Sequence, residues 1–238
     1  MKHLTLFFSL LLVPSLVAAA CPQGDRLARE KGMAAALQAY EQCALMYNDD
    51  SSMMKLAEAY GGAQGVPKNE EKMLLFYQLS AETGNAVSQT ALAKIMLKMD
   101  ETADGRSRLQ AYMKKAEQQM ASLGSQGKML HPYTYLLLAS ERADQKWYYP
   151  TDITSSPEAE RLLNNYAISP EKRAEALKEA TAWKNRKMLE AAKKVYNATM
   201  YQDFYNTIYP KEKGANEETR RLVIERLRQK VTEVRAKG

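Results

Sequence analysis

Valine and isoleucine are scarce, together 13 of 238 residues. Strands draw on β-branched and aromatic side chains, so the composition speaks against a sheet-rich fold, while the dominance of Ala, Leu, Met, Glu, Lys and Gln favours helices. Cysteine and histidine occur twice each, too few for a disulfide-dense mini-protein or for most zinc clusters. HExxH, paired histidines and CxxC are missing, so transition-metal chemistry finds little support. After the first twenty residues no apolar run is long enough to cross a bilayer. What remains is a chain with 45% hydrophobic residues, too apolar to be wholly disordered and long enough for one large domain or two small ones.

Residues 1–20, MKHLTLFFSLLLVPSLVAAA, read as an export signal. Lys2 supplies the positive start, Leu4 to Val17 the apolar stretch and Ala18-Ala19-Ala20 the small-residue cleavage site. The apolar stretch is shorter than a membrane span and contains Pro14. The mature protein is therefore expected to begin at Cys21 and to work in a periplasm-like space. Two readings of Cys21 stand. A bacterial lipoprotein carries lipid on such a cysteine, but its signal usually has Leu three residues earlier, where this chain has Ala18. Alternatively Cys21 pairs with Cys43. If Gly32 turns a helical hairpin, the two cysteines lie eleven residues either side of it. An oxidising compartment permits the bond, and closing this loop contributes about 3 kcal/mol. The hairpin geometry favours the disulfide.

An internal repeat organises the first half. ALQAYEQCA (36–44), MLLFYQLSA (73–81) and RLQAYMKKA (108–116) align without gaps at offsets of 37 and 35 residues. Leu37, Leu74 and Leu109 correspond, as do Tyr40, Tyr77 and Tyr112, and Ala44, Ala81 and Ala116. Leu, Tyr three later and Ala four after that form one helix face. Between them SMMKLAEAY (52–60) and VSQTALAKIM (87–96) correspond through Leu56-Ala57 and Leu92-Ala93. Two helices per unit at this period predict an α-solenoid. Asn69 is expected to cap a helix starting at Glu70, and Gly84 to end it.

Residues 56–86, LAEAYGGAQGVPKNEEKMLLFYQLSAETGNA, resemble a Sel1-like repeat, a relative of the tetratricopeptide repeat. Leu56, Tyr60, Gly65, Val66, Lys72, Phe76, Ala81 and Gly84 match the pattern. Ala57 and Ala63 replace glycines, Asn69 replaces Asp, and Met73 and Ser80 replace alanines. Since Ala63 takes positive φ less readily than Gly, the loop is expected to bend differently from the family norm. The resemblance is good for this unit, partial for its neighbours, and covers about residues 24–123. It implies a right-handed, all-α solenoid of Sel1-like, TPR-like helix pairs over 21–147. It also implies binding of another protein. Proteins similar to this family serve as envelope adaptors, and some exported members are immunity proteins that block phospholipase effectors delivered by type VI secretion.

The C-terminal half differs. GSQGKMLHP (124–132) is a break, a helix is expected over 133–147, and YYPTDITSSP (148–157) is a loop. Ser156-Pro157-Glu158 starts a helix to about Ala167, and Ser169-Pro170-Glu171 a long one to about Tyr205. A last amphipathic helix is expected from about Asn216 to Ala236, its stripe of Val223, Leu227, Val231 and Val234 packing on the solenoid. Residues 148–238 thus form a basic helical extension. Charge divides along the same line: residues 21–156 carry 15 basic and 16 acidic side chains, residues 157–238 carry 18 and 12. Such asymmetry steers an acidic partner. Tyr148, Tyr149, Lys184, Arg186, Lys187, Lys193 and Lys194 are the candidate partner-binding residues, set against the plain alternative of solvated helix surface and packing aromatics.

Catalytic constellations are poor. His131, beside Pro132, reads as structural. GSQG (124–127) lacks the spacing of a nucleophile elbow, and GGAQG (61–65) lacks the Gly-Lys-Ser/Thr end of a phosphate loop. The carboxylate pairs Asp49-Asp50, Glu70-Glu71 and Glu217-Glu218 suit helix starts. No catalytic site, metal, cofactor or nucleic-acid partner is therefore expected, and membrane contact only if Cys21 is lipidated. The expected function is non-catalytic capture of a protein with an acidic surface, most specifically as an immunity protein. The alternative is an adaptor for envelope assembly or peptidoglycan.

Overall fold

The computed structural model describes residues 21–122, 127–141, 156–166 and 168–196, without the side chains of 188, 189 and 191–196. The expected signal (1–20), Tyr148, Tyr149, the side chains of Lys193 and Lys194, and the last amphipathic helix lie outside the described residues. Among those described there are nine α-helices and no strand: α1 (Pro22–Lys31), α2 (Met33–Tyr47), α3 (Asp50–Tyr60), α4 (Glu70–Glu82), α5 (Ala86–Asp100), α6 (Ala103–Ser122), α7 (Pro132–Ser140), α8 (Pro157–Asn165) and α9 (Pro170–Tyr196).

Local chemistry sets their ends. Asn69 accepts a hydrogen bond from Lys72 N at 3.0 Å and starts α4. Asn85 does the same for Ser88 N at 2.8 Å in α5, and Ser156 for Ala159 N at 3.2 Å in α8. Each side chain satisfies a donor that the first helical turn leaves unpaired. Gly84 sits between α4 and α5 at φ +92°, a conformation that suits glycine. In the 61–69 loop positive φ falls on Gly62, Gln64 and Gly65, and not on Ala63. α7 begins one residue earlier than expected, and its described length ends at Ser140. α8 stops at Asn165, two residues short of the expected end.

Consecutive helices pack on one another from α1 to α6, α4 also touches α6, and α7 packs on α5, α8 and α9. The three aligned stretches lie in α2, α4 and α6, and the two paired stretches in α3 and α5. The repeat is thus a series of helix pairs. Ala44, Ala81 and Ala116 are all buried, where a small side chain lets the neighbouring helix approach. Leu74, Leu109 and Tyr40 are buried, while Leu37, Tyr77 and Tyr112 are half-buried. Two apolar clusters result. One runs from Cys21 through Met53 and Leu56 to Phe76 and Met120. The other runs from Leu74 through Leu92, Tyr135 and Leu138 to Trp183. Met73 and Tyr77 pack against both, which makes the array continuous.

Ion pairs join alternate helices along the array. Lys55 meets Asp25 at 2.6 Å (α3 to α1), Lys72 meets Glu41 at 3.2 Å (α4 to α2), and Lys115 meets Glu71 at 2.7 Å (α6 to α4). At this exposure each is worth about 0–1 kcal/mol, so they fix register more than they stabilise. At the N-terminal end Cys21 and Cys43 form a disulfide with Cα atoms 5.9 Å apart. Gly32, at φ +85°, turns the hairpin between them. The Cys21 sulfur is therefore not a free thiol for lipid attachment, and the lipoprotein reading falls.

Candidate functional site

The polar interior is concentrated around the C-terminal end of α4. The repeat face ends at Ala81, and the next residue, Glu82, is 6% exposed. Its carboxylate accepts a hydrogen bond from Trp183 Nε1 at 3.1 Å and ion-pairs with Arg186 at 3.0 Å and Lys187 at 2.9 Å. All three partners come from α9. Glu190, one turn on, pairs with the same Arg186 and Lys187 at 3.1 and 3.2 Å. Two carboxylates and two cations so form a balanced set, with the Lys187 ammonium 5.7 Å from the Trp183 ring centre. Gly127 packs closely on the Glu82 end of the set: a Cβ there would lie 2.8 Å from the Glu82 carboxyl carbon.

The helix pattern explains the placement. Ala176, Ala180, Trp183 and Lys187 follow one another at steps of four, three and four residues, and all are buried. This is the core-facing stripe of α9. Lys187 is thus carried inward by its register and needs an internal carboxylate, since a buried charge without a partner is costly. Lys184 flanks the stripe and pairs with Glu141 at the end of α7. Glu179 accepts from His131 N at 3.0 Å and Thr134 Oγ1 at 2.5 Å at the start of α7. One helix is so fastened along α7 and onto α4.

A seam of buried polar groups continues from this point. Gln78 donates to Lys128 O at 3.3 Å and accepts from the Tyr135 hydroxyl, which itself accepts from Leu130 N at 3.0 Å. Complete burial, with the Glu82 charge nearby, pushes the Tyr135 hydroxyl far above the ordinary tyrosine range. Further along, Asp50 accepts from Ser80 Oγ, from Thr83 Oγ1 at 3.1 Å and from Asn85 Nδ2 at 2.6 Å, and Ser80 lies 2.6 Å from Ser88 Oγ. Gln89 donates to Ala81 O at 3.2 Å.

Of the sequence candidates, Lys184, Arg186 and Lys187 are brought together, each with an internal carboxylate. Tyr148, Tyr149, Lys193 and Lys194 are outside what is described. His131 caps α7 by accepting from Tyr133 N at 3.4 Å, and its ring lies 5.1 Å from that of Tyr133. Among the described residues no group of three or more His, Cys, Asp or Glu is placed to hold a metal ion. No described helix is long and apolar enough to cross a membrane.

Sequence reading missed two features. Glu82 stands one residue past the aligned stretch and was not singled out. The buried stripe holding Lys187 was the signal that an internal acid must exist. The second feature is Leu45, Met46 and Tyr47 at the end of α2, exposed at 48%, 71% and 62%. Three large apolar side chains in succession had no reason in the sequence to stay outside. The chain matches no family model, no curated protein and no solved structure.

Proposed function

We propose that the protein is a non-catalytic binding module that captures another protein outside the cytoplasm. In this reading the helix pairs form a right-handed, Sel1-like solenoid, and the chain acts as an immunity protein against a secreted effector such as a phospholipase. The observation that carries the reading is the exposed Leu45-Met46-Tyr47 run at the end of α2. Scattered surface apolar residues are normal, whereas a contiguous run at a helix end suits docking of a partner. A preassembled array loses little ordering entropy on binding. Arg186 and Lys187 contribute to an acidic partner only by exchanging Glu82 and Glu190 for the partner's carboxylates, so the apolar run is the better anchor.

The test is capture by the full chain immobilised against extract of the native envelope, compared with a Met46→Glu, Tyr47→Glu variant. A protein retained by the parent and lost from the variant supports the reading. Its identity then separates effector from envelope component. Equal retention by both removes this surface, and retention of nothing above background removes the function.

A further inference from the structure

The first helix packs on α2 yet buries little of its own surface. α1 has ten residues, and Gly24 is its only buried one. Leu27 and Ala28 are its half-buried apolar contacts with the first cluster. A helix this short does not persist alone in water. Three other ties hold it: the Cys21–Cys43 bond, the Tyr40 hydroxyl donating to Asp25 at 2.7 Å, and Lys55 on the same carboxylate at 2.6 Å. Its seat is specific. A Cβ at Gly24 would lie 2.6 Å from the Tyr40 ring, so the helix must be bare there.

We propose that α1 is a disulfide-latched plug in a helix-binding groove on α2 and α3, and that reduction of Cys21–Cys43 opens the groove to another helix of the same chemistry. That ligand carries Gly against Tyr40, an acid next to it for Tyr40 and Lys55, and Leu two residues further on. The opening step needs a dithiol reductant. Its thiolate attacks the half-buried Cys43 sulfur, the Sγ–Sγ bond breaks, and Cys21 leaves as a thiolate that takes a proton. The second thiol of the reductant then displaces Cys43, giving two cysteine thiols and a disulfide in the reductant. The remaining cluster residues lie on α2, α3, α4 and α6 and in the 61–69 loop.

The experiment is amide hydrogen exchange on the full chain with and without dithiothreitol, followed by binding of a fluorescent peptide with the sequence of residues 21–32 and Cys21→Ser. Loss of a 22-residue cross-link corresponds to about a hundredfold in the opening equilibrium. Amides of residues 26–31 should therefore exchange at least about tenfold faster after reduction, with α3 to α5 unchanged. The peptide should bind the reduced chain alone, and its Gly24→Ala form at least about tenfold more weakly. Unchanged protection of α1 overturns the latch. Loss of protection throughout overturns it too, since the helix would then be part of the global fold. A freed α1 with no peptide binding, or equal binding by both peptides, overturns the groove.

Discussion

Replacing Glu82 by alanine tests whether α9 belongs to the same structure as the repeat. The carboxylate is 6% exposed and holds Trp183, Arg186 and Lys187. Removing one partner of a buried ion pair costs about 3–5 kcal/mol, because the remaining charge stays buried and unmatched. Two details put the expectation at the low end. Glu190 still reaches both cations, and the Arg186 side chain is 22% exposed. About 3 kcal/mol is therefore expected, equivalent to a fall of about 6–12 °C in Tm for a domain of this size. Glu82→Gln keeps an acceptor for the Trp183 indole and should lose less. The assay is thermal unfolding together with tryptophan emission in a Trp147→Phe background, so that Trp183 alone reports. Trp183 is 2% exposed in the native protein, so loosening of α9 shifts its emission to the red. A Glu82→Ala protein within about 1 kcal/mol of the parent, with unmoved emission, would refute the argument that this carboxylate seats the helix.

Four further outcomes follow from the packing. Gly24→Ala should destabilise by about 1–3 kcal/mol through collision with the Tyr40 ring, although helix propensity alone gives alanine an advantage of about 1 kcal/mol; chemical denaturation reads the sign directly. Leu56→Ala, at a position with 0% exposure, should lose about 2–5 kcal/mol in the same assay. Ala81→Leu overfills the contact that the repeat keeps small, at about 1–3 kcal/mol, whereas Leu at the exposed Ala121 should be nearly neutral. Asp25 is held below the ordinary carboxylate range by its bonds from Lys55 and then Tyr40, so its contribution is complete above about pH 4 and disappears as pH falls through the lowered value. Thermal midpoints of the parent and Asp25→Asn should converge on acidification, and a constant gap from pH 6 to pH 3 would contradict that linkage.

The repeat was readable because its cause is local and periodic. Ala44, Ala81 and Ala116 recur at one helix position and are all buried, since each faces the next helix across the same narrow gap. Caps were readable for the same reason: Asn69, Ser156 and Gly84 act on backbone groups within three residues of themselves. The disulfide followed from symmetry about one turn, Gly32, and needed no knowledge of the rest of the chain. In each case the partner of a residue is fixed by its distance along the sequence.

Charge is different, because a carboxylate and its cation can be far apart in the chain. Glu82 and Arg186 are separated by 104 positions, and nothing periodic links them. In the sequence Lys184, Arg186 and Lys187 are candidates for meeting an acidic partner, with a solvated helix surface as the plain alternative. In the structure all three meet carboxylates, on α4, just past the end of α7 and on α9 itself. The net charge of the C-terminal half is a property of composition and is unaffected by this pairing. What pairing changes is availability. A partner acid gains from meeting Arg186 or Lys187 only the difference between its own carboxylate and Glu82's, and exchange of one pair for another is nearly neutral unless the new site is drier. Apolar side chains carry no such internal competitor. Met46, at 71% exposure, loses only water when it is covered, so under the proposed function the apolar run is a more direct guide to a docking surface than a count of lysines.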